Sequence, residues 1–169
     1  MTSEINQSDA TVSPGKSLKR LARKILQFAA RKLPFLPARA RTQLQVWRGV
    51  QFDAPATVFI GEDVYFDDMY PELISVGRQV IITEGVKILT HFVDGRLERK
   101  DYAPFRFYKA AVRIGNHVFI GTNAVIAKPV SIGNGAMIGA NAVITSDVPE
   151  NAVMVGAPAR QVGTLTAIN

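Results

Sequence analysis

A chain of 169 residues with 47% hydrophobic content is long enough for one cored domain with a short appendage, and it contains no cysteine. Disulfides, thiolate metal sites and a cysteine nucleophile are therefore excluded, so any covalent intermediate would need another residue. The net charge of +6 is uneven: residues 1–50 hold 10 Lys+Arg against only Glu4 and Asp9, which assigns the basicity to an N-terminal appendage and gives no support for a nucleic-acid partner of the remainder.

Residues 1–14, rich in Ser, Thr, Asn and Gln, read as a disordered tail without the apolar core of a secretion signal. No later run approaches the roughly 18 to 20 apolar residues that cross a bilayer, and a cytoplasmic location is the expectation. Residues 15–50 form a basic helical segment. From Ser17 to Leu33, Leu18, Leu21, Ala22, Ile25, Phe28, Ala29 and Leu33 fall near helical spacing among Lys19, Arg20, Arg23, Lys24, Arg31 and Lys32. Pro34 and Pro37 stop this helix, and a second stretch, 38–47, leads towards the domain. The expected role is a cap whose basic face is solvated; the alternative is a foot on an anionic membrane surface.

Residues 51–163 carry a repeat. Ile114, Ile120, Ile126, Ile132, Ile138 and Ile144 recur at an unbroken spacing of six, and two residues before each stands Val112, Val118, Ala124, Val130, Ala136 or Ala142. A spacing of two puts both side chains on one face of a very short strand. The triplets between strands, such as Gly115-Asn116-His117 and Gly121-Thr122-Asn123, are rich in residues that tolerate positive φ and so read as corners. Three sides close a triangle of 18 residues, and successive triangles stack as parallel strands about 4.8 Å apart. The same register is visible from Val58 to Ile88, broken twice. Four residues are inserted around Asp67 to Tyr70, and residues 92–111 leave the pattern altogether, reading as a long loop excursion with an aromatic cluster at Phe105-Arg106-Phe107-Tyr108. Residues 164–169 are a C-terminal tail.

Two histidines could supply chemistry. His117 sits at an ordinary corner and reads as structural, whereas His91 stands where the register ends and the excursion begins. Asp94 and Glu84 are its acidic neighbours along the chain, and spacing alone assigns neither as the partner of its imidazole.

Three segments carry a family resemblance: Ile114 to Gly121, Ile132 to Pro149, and Val155-Gly-Ala-Pro-Ala-Arg160. With Ile88-Leu89-Thr90-His91, they resemble the hexapeptide-repeat acetyltransferases, a family that includes maltose, galactoside, nodulation-factor and polysaccharide O-acetyltransferases. The resemblance implies an all-β solenoid, a left-handed parallel β-helix of hexapeptide repeats with a short N-terminal helical segment. It implies a homotrimer with sites between subunits, acetyl-CoA as cosubstrate, no permanently bound cofactor or metal, and a saccharide or glycoconjugate acceptor. It further implies that His91 is the catalytic base and that Phe119, Thr122, Ala140, Thr145 and Arg160 line the CoA path. Two positions depart from the family: Lys128-Pro129 stands for the usual Pro-Gly, and Ser146 for a frequent lysine. One base suffices chemically, because a thioester is already activated and a hydroxyl needs only to lose its proton as it attacks. An N-acetyltransferase for an amino sugar or nucleotide sugar, or a non-catalytic membrane-adaptor or assembly module, are the alternatives.

Overall fold

The computed structural model describes residues 14–33, 35–93 and 107–166. The tail of residues 1–13, Pro34, the middle of the excursion with Asp94 and Phe105, and residues 167–169 lie outside the described residues. Two helices, α1 (Pro14–Lys32) and α2 (Ala38–Arg48), precede the coils. The first coil contains β1 (Gln51–Phe52), β2 (Phe59–Ile60) and β3 (Tyr65–Phe66), and the second β4 (Ile74–Val76), β5 (Ile81–Ile82) and β6 (Lys87–Ile88). The excursion leaves through β7 (His91–Val93) and returns through β8 (Phe107–Lys109). A third coil contains β9 (Val112–Ile114), β10 (Phe119–Ile120) and β11 (Val125–Ile126), and a fourth β12 (Ser131–Ile132), β13 (Met137–Ile138) and β14 (Val143–Ile144). β15 (Ala152–Val155) and β16 (Arg160–Thr164) finish the chain as an antiparallel pair.

These strands stack into the three parallel faces of a left-handed β-helix. The first face is β1-β4-β9-β12, the second β2-β5-β10-β13-β15, and the third β3-β6-β11-β14. The register confirms the two interruptions. Phe119 pairs with Met137, 18 positions on, but Phe59 pairs with Ile81, four more than one turn, and Ile81 with Phe119, twenty more. Those surpluses are the Asp67–Tyr70 insertion and the 92–111 excursion, so neither disturbs the stacking.

The interior holds the repeated aliphatics: Ile60, Ile82, Ile120 and Ile138 form one ladder and Phe66, Ile88, Ile126 and Ile144 another, all buried. Burying each such side chain stabilises by roughly 1.5–3 kcal/mol. Corners are held in the left-handed region at Asp63, Gln79, His117, Asn123, Asn141 and Asn151. The glycines that open corners make room for the next coil, since a Cβ at Gly121 would stand 2.6 Å from the backbone nitrogen of Ala140.

α2 covers the first coil, its buried Thr42 hydroxyl donating to the Val58 carbonyl. α1 packs on α2 and on β3, but through its polar side: Gln27 is buried, Arg23 pairs with Glu72 and Arg31 with Asp63. The expected solvated basic face is thus present only in part: Lys19, Arg20 and Lys24 are exposed, while Arg23, Arg31 and Lys32 are paired with the domain. The helix turns its polar side inward because Arg48 of α2 is fully buried there and needs acceptors, and Leu18, Leu21, Ile25 and Phe28 are left outside. Among the described residues, no helix is long and apolar enough to cross a membrane.

Candidate active site

The site is built at the edge where the third face turns into the first. On this edge the second coil contributes Leu89-Thr90-His91, and the insertion of the first coil brings Asp67 directly after β3. Coil stacking joins them, with the Asp67 amide donating to the Ile88 carbonyl at 3.0 Å. The Asp67 side chain is 0% exposed and accepts four hydrogen bonds. Its Oδ1 takes the Met69 amide at 2.8 Å. Its Oδ2 takes the Thr90 amide at 2.9 Å and the Thr90 hydroxyl at 2.8 Å, and lies 2.6 Å from His91 Nδ1.

Burial alone would raise the carboxyl pKa of Asp67, but the hydrogen bonds from Thr90, Met69 and His91 outweigh it and hold the value below the ordinary 3.8. Asp67 is therefore a carboxylate at neutral pH and can only accept. The tautomer of the neutral imidazole follows: the proton sits on Nδ1 towards Asp67, and Nε2 carries the basic lone pair. His91 remains 27% exposed, so the ring can meet a substrate.

Arg48 ties this corner to the helices. Its Nη2 donates to the carbonyls of Phe66 and Asp67 and to Asp68 Oδ1, its Nη1 to Gln27 and Gln45, and its Nε to the Arg23 carbonyl. Burial lowers its pKa to about 10, with Asp68 opposing the shift, so it is a cation at pH 7. The guanidinium thus clamps the backbone on both sides of the peptide that presents Asp67.

Around the imidazole stand aromatic rings and lysines. Tyr70 meets His91 edge to face at 6.4 Å between centroids, and Lys109 Nζ lies 4.6 Å over the Tyr70 ring. At the neck of the excursion His91 pairs with Lys109 and Phe92 with Tyr108, whose rings are 5.8 Å apart. Lys128 Nζ reaches 6.0 Å from the Phe92 ring, so the departure from Pro-Gly at this corner supplies a cation at the site.

The other sequence-selected residues are not gathered with His91 in one chain. Thr122 and Ala140 stack on the edge between the second and third faces, where the Asn141 amide donates to the Thr122 carbonyl at 2.8 Å. Thr145 is on the His91 edge, two coils further along. Phe119 is half-buried on the outside of the second face between Ile81 and Met137. Arg160 opens β16 and is exposed, its Nη1 donating to the Ala159 carbonyl. His117 holds a corner at φ 58°. Asp67, Thr90 and Arg48 were not selected from the sequence; the four-residue insertion at Asp67 was the one signal that marked the place.

The repeat segment at residues 111–146 matches the family described as bacterial transferase hexapeptide (six repeats). Over these residues the coils are similar to the bacterial transferase hexapeptide repeats. Protein CapG of Staphylococcus aureus is 48% identical over 98 residues, 57% of this chain and 56% of CapG, so the match spans little more than half of that relative. Among solved structures, the hexapeptide-repeat containing-acetyltransferase VCA0836 of Vibrio cholerae is 22% identical, with a TM-score of 0.64 covering 92% of this chain and 96% of that one. A galactoside acetyltransferase in complex with coenzyme A is 23% identical, with a TM-score of 0.63 over 93% of this chain and 86% of that one. At these identities the two structures show that the hexapeptide-repeat fold is shared, the helical N-terminal segment included.

Proposed function

We propose that this chain transfers an acetyl group from acetyl-CoA directly to a hydroxyl of a saccharide or glycoconjugate, with His91 as general base and Asp67 as the residue that holds it. The observation that carries the reading is the Asp67–His91 pair, an imidazole held through Nδ1 by a buried carboxylate at the root of a surface excursion. The acceptor oxygen attacks the thioester carbonyl carbon while its proton passes to Nε2. The tetrahedral adduct collapses, the C–S bond breaks, and the imidazolium returns the proton to the CoA thiolate. The buried carboxylate stabilises the imidazolium between these steps. CoA is bound by the structurally related galactoside enzyme, and its cytoplasmic abundance makes that compartment the proposed place of action.

The reading includes a trimer. Two observations support it: Phe59, Ile81, Phe119, Met137 and Val153 line up across the outside of the second face as an apolar ladder, while the outward residues of the first face are Gln51, Ser75, Arg113 and Ser131. An apolar ladder of this length fits an interface between copies. His91 and the pair Thr122/Ala140 also occupy different edges of one prism, so a groove using both draws one edge from each of two subunits. Sedimentation equilibrium is expected to give three chains per particle; a fully active monomer would sink the shared site.

The deciding experiment is a screen of sugars, nucleotide sugars and lipid-linked glycans with acetyl-CoA, following release of the free thiol. Turnover is expected with a hydroxyl acceptor, giving an alkali-labile ester. An alkali-stable amide would establish the amino-sugar reading instead, and no thiol release with any acceptor would overturn acetyl transfer.

For the donor, Arg160→Ala is expected to raise the KM for acetyl-CoA several-fold with little change in kcat, the pattern of binding energy shared by ground and transition states. Steady-state kinetics with varied acetyl-CoA checks it, and an unchanged KM would place the nucleotide phosphates elsewhere.

A further inference from the structure

The outer side of α1 is the one large apolar feature among the described residues that neither the coils nor the proposed site uses. Leu18, Leu21, Ile25 and Phe28 are exposed, from 55% at Leu21 to 72% at Leu18. Their spacing of three, four and three residues sets them in one stripe along about 15 Å of helix. The stripe runs opposite the packed side that carries Gln27 and Ala30. Leu33 and Phe35, just beyond the helix, are exposed as well. Long apolar side chains left in water across a whole helix face call for a cover.

Charge distinguishes the candidate covers. α1 contains no acidic residue. Arg23, Arg31 and Lys32 are paired with Glu72 and Asp63 of the domain, while Lys19, Arg20 and Lys24 are exposed and form no ion pair with any of the described residues. A second copy laid against the stripe would bring like charges together along both flanks. An acidic lipid surface supplies the opposite sign at the flanks and hydrocarbon beneath the stripe. The helix is also too polar to insert across a bilayer, which leaves it lying in the plane of the surface.

We infer that α1 is an amphipathic foot that seats the protein on an anionic membrane surface. Leu18, Leu21, Ile25 and Phe28 enter the interface, and Lys19 and Lys24, one on each flank of the stripe, meet the headgroups. Because Gln27 on the inner side of the same helix bonds both Arg48 and the Phe66 carbonyl, the foot is joined rigidly to the strand that precedes Asp67. The catalytic edge is thereby held at a set distance from the surface, which suits an acceptor carried on a lipid. The docking does not depend on acetyl transfer and is read without it.

The test is co-sedimentation of the full chain with phosphatidylcholine vesicles, with and without phosphatidylserine. Binding is expected only with phosphatidylserine and should weaken as salt is added. L21E/I25E should lower the bound fraction at least tenfold, and K19E/K24E several-fold. These exposed positions should leave thermal unfolding and the number of chains per particle as in the wild type. Indifference of the wild type to anionic vesicles, or wild-type binding by L21E/I25E, would overturn the foot. So would dissociation of the oligomer by L21E/I25E, which would show the stripe lying between copies.

Discussion

Replacing His91 by alanine is expected to reduce kcat by about 10² to 10⁴-fold, equivalent to roughly 3–5 kcal/mol of barrier, while oligomeric state and CoA binding persist. The residue follows the last strand of its coil, outside the aliphatic interior, so its removal opens no core cavity. Without it the attacking hydroxyl must lose its proton to water, and the thiolate must leave without a positioned acid. His117→Ala is the control. Its backbone stays in the left-handed corner conformation, and the cost should be about 1 kcal/mol of stability or less with kcat intact. Thiol-release kinetics beside equilibrium unfolding separates the two variants. Wild-type kcat in His91→Ala, with loss in His117→Ala, would move the reactive centre to the 115–119 corner.

Asp67→Asn tests whether the buried carboxylate sets the state of the imidazole. An amide has the same shape but lacks the charge, and it can turn its NH2 towards Nδ1 and so favour the tautomer with Nε2 protonated. The expected result is a fall in kcat of about 10²-fold or more with an unchanged acetyl-CoA KM. A second readout separates positioning from mere structural support. Equilibrium unfolding should stay near that of the wild type while kcat falls, because the amide keeps the shape of the carboxylate and changes only what Nδ1 meets. A fall in kcat matched by a comparable loss of stability would mean that Asp67 only braces the corner.

Most of the architecture was legible because its cause is local and repeated. An isoleucine every six residues, a small or branched residue two before it, and corner triplets that accept positive φ demand short strands and tight turns wherever they occur. Both interruptions were readable for the same reason, since any surplus over the period stands out against it. His91 was marked by its place at the end of the register, with the family resemblance adding its role. Its partner was not legible. Asp67 lies 24 positions earlier, and the acidic residues nearer in sequence, Glu84 and Asp94, drew attention instead.

What the sequence determined by itself was therefore the coil and where it is broken, because each hexad carries its own instruction and stacking only multiplies it. The tertiary structure decided the two features that depend on residues far apart meeting. Closing the one turn lengthened by four residues, which pairs Phe66 with Ile88, set Asp67 beneath Thr90 and His91, a contact no local pattern encodes. The orientation of α1 was settled likewise: hydropathy favoured burying Leu18, Leu21, Ile25 and Phe28, but the buried guanidinium of Arg48 required oxygen acceptors from Gln27 and the Arg23 carbonyl. A charge left unpaired in the interior costs several kcal/mol, more than a stripe of exposed leucine and isoleucine that another surface can cover, and so the polar side of the helix was turned inward.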